Sequence, residues 1–385
     1  MSRVTSRRLL LAKIESVYGT DPTPTASANA VYMGNQQISP HKATLVKRNV
    51  TRPYLGNFQS AVAQIFQDIS FEVEIAGSGT AGTAPAYGPL MRACGMSETI
   101  NATPVTGTAV AGATATITLA AGASSVDNAY KGMVINLTGG TGSGGTATIL
   151  SYVGSTKVAT LQANWTTPPD NTSTYSIPAQ VVYQPVSNSY ESATIYANND
   201  GVQFKLTGSR GTVNLGFSLN GIPVYKFTMT GIYNGPTDVA LPTPVFVNQA
   251  VPLAVNKDNT TGISVLGYAA SVSDFSLDVA NTVLYQSYPG GAEQIIITDR
   301  QSAGSITMEG VLGAAKDWWA ATRAATTGLM TLLHGTTAGN KVQISGPLVQ
   351  LMNPVDGNKS GIITLQGSLG WSPINGNDEF SISLL

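Results

Sequence analysis

A single cysteine, Cys94, rules out a disulfide within the chain and means that a thiolate metal site would be built almost entirely from other residues. Histidine is nearly as scarce. His41 and His334 are the only two, so a Ser-His-Asp or Cys-His arrangement has few ways to form. Charge is thin: 11% of the 385 residues are Asp, Glu, Lys or Arg, the net charge is −1, and no basic stripe offers a footprint for tight phosphate binding. A nucleic-acid reader is not expected. Long apolar runs are missing as well, and none approaches the roughly 20 residues that cross a bilayer. The apolar run in MSRVTSRRLLLAKIE stops at Ala12, too short for a signal-peptide core, so a soluble chain made in a cytoplasm is expected.

What remains is rich in Gly, Ala, Ser and Thr, with Val and Ile in short runs, a composition suited to many short strands joined by turns. The length allows two or three domains. Residues 1–60 carry eight Lys or Arg against Glu15 and Asp21, and TDPTPTASANA holds few apolar residues, which reads as an extended arm. From Ile69 onward, Phe71, Val73 and Ile75 alternate with Ser70, Glu72 and Glu74, the period-two pattern of a strand with one wet and one buried face. A short helix is expected at PLMRACG. Residues 102–178 differ in texture, nearly uncharged and Gly/Thr-rich, and read as a small inserted β-domain. LPTPVFVNQAVP, residues 241–252, reads as a stiff linker. Beyond it lie further strands, a helix expected over 314–335, and a last set of strands ending in FSISLL.

Internal similarity is present. DISFEVEIAGS resembles GSITMEGVLGA, and the segment from Leu206 to Gly235 resembles that from Ile344 to Pro373, with a helix between the matched strands in both cases. The reading is two copies of one β-plus-helix unit: 40–101 with 179–240, interrupted by 102–178, and then 253–385, preceded by an arm over 1–39.

Chemical motifs are weak. Gly77, Gly79 and Gly82 satisfy G-x-G-x-x-G, but the strand before them carries Glu72 and Glu74 on one face, and Pro85, Gly88 and Pro89 delay the helix, so no dinucleotide site is expected. Gly140, Gly142 and Gly145 lead into a strand and read as a turn. His334 is placed at a helix end and Cys94 in an apolar helix as a core residue. Trp318 and Trp319 read as packing residues. No catalytic residue, cofactor or metal is expected.

At GSGTAGTAPAYGPLMRACGM (77–96), SVSDFSLDVANTVLY (271–285) and EQIIITDRQSAGSITMEG (293–310), the chain resembles major tail tube proteins of long-tailed, non-contractile phages, of the type found in Mu-like transposable siphophages. The resemblance implies a mainly β fold: two tandem tail-tube-type β-sandwich or barrel units, each with a flanking helix, plus the inserted β-domain. It also implies a virion tail subunit that assembles in the host cytoplasm into stacked rings. DNA would pass through the lumen without specific binding. The expected partners are copies of itself, in trimeric pseudo-hexameric rings or, alternatively, hexamers. A tape-measure protein, a tail terminator and distal tail proteins complete the set; membrane insertion is not expected. Glu72, Glu74, Asp274, Asp278 and Glu309 are the candidate lumen-facing acids, and Arg3, Arg7, Arg8 and Lys13 the candidate inter-ring arm. Residues 102–178 would project outward as a decoration. Two alternatives remain from the sequence: a carbohydrate-binding or adhesin-like β-protein, for which Trp165 would be a platform, and a terminator or baseplate ring protein of the same fold.

Overall fold

The computed structural model describes residues 3–385. Strands account for 51% of the chain and helices for 3%, so the protein is mainly β. Its backbone is an antiparallel run of eight strands, in the spatial order Gly34–Val46, Ala61–Glu74, Val224–Asp238, Val202–Ser218, Val272–Asp278, Ala303–Glu309, Ile362–Ser372 and Val342–Lys359. Period-two alternation places Phe71, Val73, Phe227, Leu215, Leu277 and Met308 on one side of this run, all fully buried in one continuous core.

The order of elements occurs twice. Arg8–Ile14, Ala30–Val31, Gly34–Val46, Ala61–Glu74, the helix Gly88–Ala93, Ala193–Asn199, Val202–Ser218 and Val224–Asp238 appear in that order. Thr260–Val265, Tyr268–Ala269, Val272–Asp278, Ala303–Glu309, the helix Trp318–Arg323, Thr327–His334, Val342–Lys359 and Ile362–Ser372 repeat it, with the same neighbours hydrogen-bonded. The first series holds an excursion between its helix and Ala193. This begins and ends in the pair Met96–Asn101 and Gln180–Pro185 and carries a separate seven-stranded sheet spanning Val105 to Ile177. That sheet has its own core around Tyr152, Tyr175, Ile117 and Ile149.

Three local expectations are corrected. The N-terminal segment is not a free arm: Arg8–Ile14 pairs with Ala193–Asn199 and Ala30–Val31, and Leu9, Leu10, Leu11 and Ala12 are buried. A run of four apolar residues is costly to leave in water, and that outweighs the local charge. The helix expected over 314–335 covers only Trp318–Arg323, capped by Asp317, whose Oδ1 accepts from Ala320 N at 2.8 Å. It ends at the C-cap Ala324, where Ala325 takes a φ of +51° and Thr326 N donates back to Ala321 O, and Met330, Leu332 and His334 then alternate inward along the strand Thr327–His334. His334 therefore ends a strand, not a helix. The short helix at PLMRACG does form, over Gly88–Ala93, with Leu90 and Met91 buried against the sheet.

The 105–177 sheet does not hang from its stalk. Gln343 Nε2 donates to Thr148 Oγ1 at 3.0 Å, Ser383 Oγ to Gly132 O at 3.0 Å, and Ser345 Oγ to Gln162 Oε1, all at buried or half-buried sites. The C-terminal strand Ser381–Leu384 pairs with both Gln180–Pro185 and Val342–Lys359, which ties the excursion to the second series of strands.

Candidate functional site

The face of the eight-stranded run opposite the core is polar from strand to strand. Residues directly opposite each other in antiparallel pairs point to the same side. One such row reads Glu72, Lys226, Asn214, Asp278, Ala303, Gly370, Gln350, and the next Glu74, Val224, Gly216, Ser276, Ser305, Ser368, Met352. Asp274 stands between Ser218 and Thr307, and Glu309 stands opposite Thr364. Glu72, Glu74, Asp274, Asp278 and Glu309 therefore share one sheet face, although they come from three strands and two distant parts of the chain.

The charges on this face are partly countered. Glu72 Oε1 lies 3.4 Å from Lys226 Nζ, and its Oε2 accepts from Asn35 Nδ2 at 2.5 Å. Asp274 accepts from Ser273 Oγ at 2.8 Å and lies 3.4 Å from Lys359 Nζ. Partial burial raises the Asp274 carboxyl, but the Ser273 and Ser218 hydroxyls and Lys359 outweigh it and hold the group below the usual carboxylate range. Asp278 Oδ1 accepts from the Ala280 backbone N–H at 2.8 Å. Sequence reasoning missed Lys226, Lys359 and Asp68, the last joined to Lys42 Nζ at 2.6 Å. The signal for Lys226 was present, since it lies between Tyr225 and Phe227, both buried, and so points to the wet side.

The four residues of the expected arm are brought onto the body, each by a different bond. Arg3 Nη2 donates to Asn199 O at 2.7 Å, Arg7 Nη1 lies 2.9 Å from Asp200 Oδ1, Arg8 Nη1 donates to Gln36 O at 2.8 Å, and Lys13 Nζ to Pro22 O at 2.9 Å. The hairpin of Gly34–Val46 and Ala61–Glu74 has instead an exposed tip over residues 47–60. Leu55 there is fully exposed, and the Arg52 guanidinium lies over the rings of Tyr54 and Phe58 at 4.6 and 4.3 Å.

Residues that could have carried other chemistry are used in packing. Cys94 is fully buried in the apolar core, and burial pushes its thiol far up. His334 is buried, its Nε2 3.1 Å from Leu253 O and its Nδ1 2.9 Å from Thr260 Oγ1; burial lowers its pKa. These distances fit a neutral ring donating from Nε2 and accepting at Nδ1. Trp165 is buried inside the 105–177 sheet and offers no exposed platform. The glycines at 77–79 serve a close backbone approach: Gly79 N donates to Gly339 O at 2.9 Å, and a Cβ on Gly77 would sit 2.0 Å from that oxygen. Gly140 and Gly142, with φ of +72° and +77°, form the turn between Val134–Gly139 and Thr146–Val153. A cleft of about 430 Å³ between the 105–177 sheet and Val342–Lys359 is lined by Pro104, Val134, Pro178 and Leu333, with Lys341 the charged side chain in its lining. Among the described residues no group of three or more His, Cys, Asp or Glu could hold a metal ion, and no helix is long and apolar enough to cross a membrane.

The fold and this face define a class: an extended antiparallel sheet with a core and both helices on one side and a largely polar surface on the other. Comparison with known families names it further. The family model for phage tail tube proteins matches residues 5–373, and the chain belongs to that family. It is a tail component of the virion. No curated protein matches it.

Proposed function

We propose that this chain is the repeating subunit of a non-contractile phage tail tube, of the siphovirus type, and that copies of it close into rings that stack around a DNA-conducting lumen. One observation carries the reading: rows of mostly polar residues run from strand to strand across the sheet, while the core and both helices lie on the other side. In a closed ring that face lines the channel. Ser, Thr, Asn, Gln and Gly offer a passing duplex few attractive contacts, and the acids repel phosphate. The role is structural, not enzymatic.

The repeated order of elements supports two copies of one unit per chain, so three chains supply the six units of a pseudo-hexameric ring. A tape-measure protein inside the lumen, and terminator and distal proteins at the tube ends, complete the partners. Assembly takes place in the host cytoplasm before the tail joins the virion.

The test is electron microscopy of the purified chain, with end-on class averages. Hollow rods with three-fold ends are expected, and a persistent monomer at high concentration refutes the reading. A phage carrying Glu72→Lys, Glu74→Lys, Asp274→Lys, Asp278→Lys and Glu309→Lys should assemble yet eject DNA more slowly, because five repelling carboxylates per chain become five lysines that attract phosphate. Unchanged ejection kinetics would exclude this face from the lumen.

A further inference from the structure

The cleft between the 105–177 sheet and Val342–Lys359 takes one wall from each part of the chain. Pro104, Val134 and Pro178 belong to the excursion, whereas Leu333, Ala338 and Lys341 belong to the second series of strands. No Asp or Glu lines it. Its volume of about 430 Å³ is that of a small-molecule site, and its walls are mainly apolar with a few polar side chains set among them, as such sites require.

Lys341 differs from the other lysines of the chain. Lys42, Lys205, Lys226, Lys257 and Lys359 each lie within 4.0 Å of a carboxylate, and Lys13, Lys131, Lys157 and Lys316 donate to backbone carbonyls. Among the described residues only Lys47 and Lys341 do neither. Lys47 stands in solvent at the hairpin tip, but Lys341 is half-buried. Its backbone is engaged: Leu385 O, also in the lining, accepts from the N–H groups of Gly339 and Lys341 at 2.7 and 3.3 Å, and Leu385 N donates to Lys341 O at 2.9 Å. The side chain is thus fixed at its root and unbonded at its tip. A half-buried ammonium without a counter-charge has given up hydration for nothing, and it favours an anion. On the facing wall, Asn136 Oδ1 accepts from Thr146 Oγ1 at 2.9 Å, which leaves the Asn136 Nδ2 as a second donor without a partner.

Two unused donors beside apolar walls complement a molecule with an anionic oxygen head and an apolar tail. An inorganic anion would leave the walls bare, and an alcohol would leave the ammonium uncompensated. We propose that this cleft binds an amphipathic carboxylate of the short fatty-acid class, its head group accepting from Lys341 Nζ and Asn136 Nδ2 and its tail lying along Pro104, Val134, Pro178 and Leu333. Because the two donors belong to different parts of the chain, the bound molecule bridges the excursion and the second series of strands. It adds to the bonds that Gln343 and Ser383 already make across the same junction. The site is independent of ring assembly.

The test is titration calorimetry of the unassembled chain at neutral pH with hexanoate, which should bind with a Kd on the order of 1 mM. Acetate lacks the tail and 1-hexanol lacks the charge, so each should bind at least about tenfold more weakly. Lys341→Met removes the ammonium but no bond within the chain, and should weaken hexanoate about tenfold or more at an unchanged urea midpoint. Ala338→Trp, at an exposed position on the rim, fills the cleft and should abolish binding while leaving every polar group in place. In hydrogen exchange, hexanoate should slow amides in both Val134–Gly139 and residues 342–345 of the wild-type chain. Hexanol as tight as hexanoate, undiminished hexanoate affinity in either variant, or no heat at about 10 mM ligand would each overturn the site. Protection confined to one wall would overturn the bridge.

Discussion

Arg300 should be among the most destabilising single positions to change outside the apolar core. Its Nε lies 2.6 Å from Glu379 Oε1, its Nη1 donates to Val186 O at 2.6 Å, and its Nη2 to Asn377 Oδ1 at 3.1 Å. The guanidinium thus holds the strand Gln294–Arg300, the excursion's return strand and the C-terminal segment together. The two side chains are only 11% and 7% exposed, so solvent screens the pair little. Arg300→Met leaves a buried carboxylate without a counter-charge, with its Oε2 already unpartnered, and strips the Val186 carbonyl of a donor. Breaking a buried pair in this way costs about 3–5 kcal/mol. Removing both charges is different: Arg300→Met with Glu379→Leu should recover to within about 1–2 kcal/mol of wild type, because no uncompensated ion remains. The assay is urea unfolding of the unassembled chain followed by tryptophan fluorescence, for which buried Trp371 is a reporter; its backbone N–H donates to Ser302 O. The slope against urea should stay constant so that midpoints compare stability alone. A single variant within about 1 kcal/mol of wild type, or a double variant no more stable than the single, would refute the argument.

His334 gives the chain a pH dependence whose sign follows from its lowered pKa. Below the ordinary value of about 6.5 the unfolded chain binds a proton that the buried ring resists, so stability is full above that pH and falls as pH drops, by at most about 1.4 kcal/mol per unit. Urea midpoints at pH 7 and pH 5 should show this loss, and His334→Gln, which keeps a donor for Leu253 O, should reduce it; an equal loss in the variant assigns the effect elsewhere. Gly77→Ala, which drives a methyl onto Gly339 O, should cost about 1–3 kcal/mol, whereas Gly122→Ala, with open space around it, should be neutral in the same melt.

Much of the architecture was legible because it depends on alternation alone. Glu72 and Glu74 between Phe71, Val73 and Ile75, or Asp274 and Asp278 around Phe275 and Leu277, specify a strand and which of its faces is wet, whatever the partner strand proves to be. That local rule put five acids on strands, on the face opposite Phe71, Val73, Phe275, Leu277 and Met308. It also marked the nearly uncharged stretch in which the separate seven-stranded sheet lies. Where local propensity competed with burial, the reading failed. AAKDWWAATRAATTGLMTLLHG favours helix by composition, but only one turn and a half survives because Met330, Leu332 and His334 are needed inward at period two. Leu9 to Ala12, flanked by Arg7, Arg8 and Lys13, read as a charged arm because nothing local shows that Ala193–Asn199 waits 180 residues away to pair with them.

The sequence by itself determined that the chain is mainly β and which side of strands such as Ile69–Ile75 is wet, since these follow from side-chain period and turn residues. Only the tertiary structure decided that the wet sides join into one face and that lysines from other strands partly neutralise it. The physical reason is that alternation fixes a strand's faces but not its neighbours; pairing partners are chosen by the burial of side chains far apart in the chain.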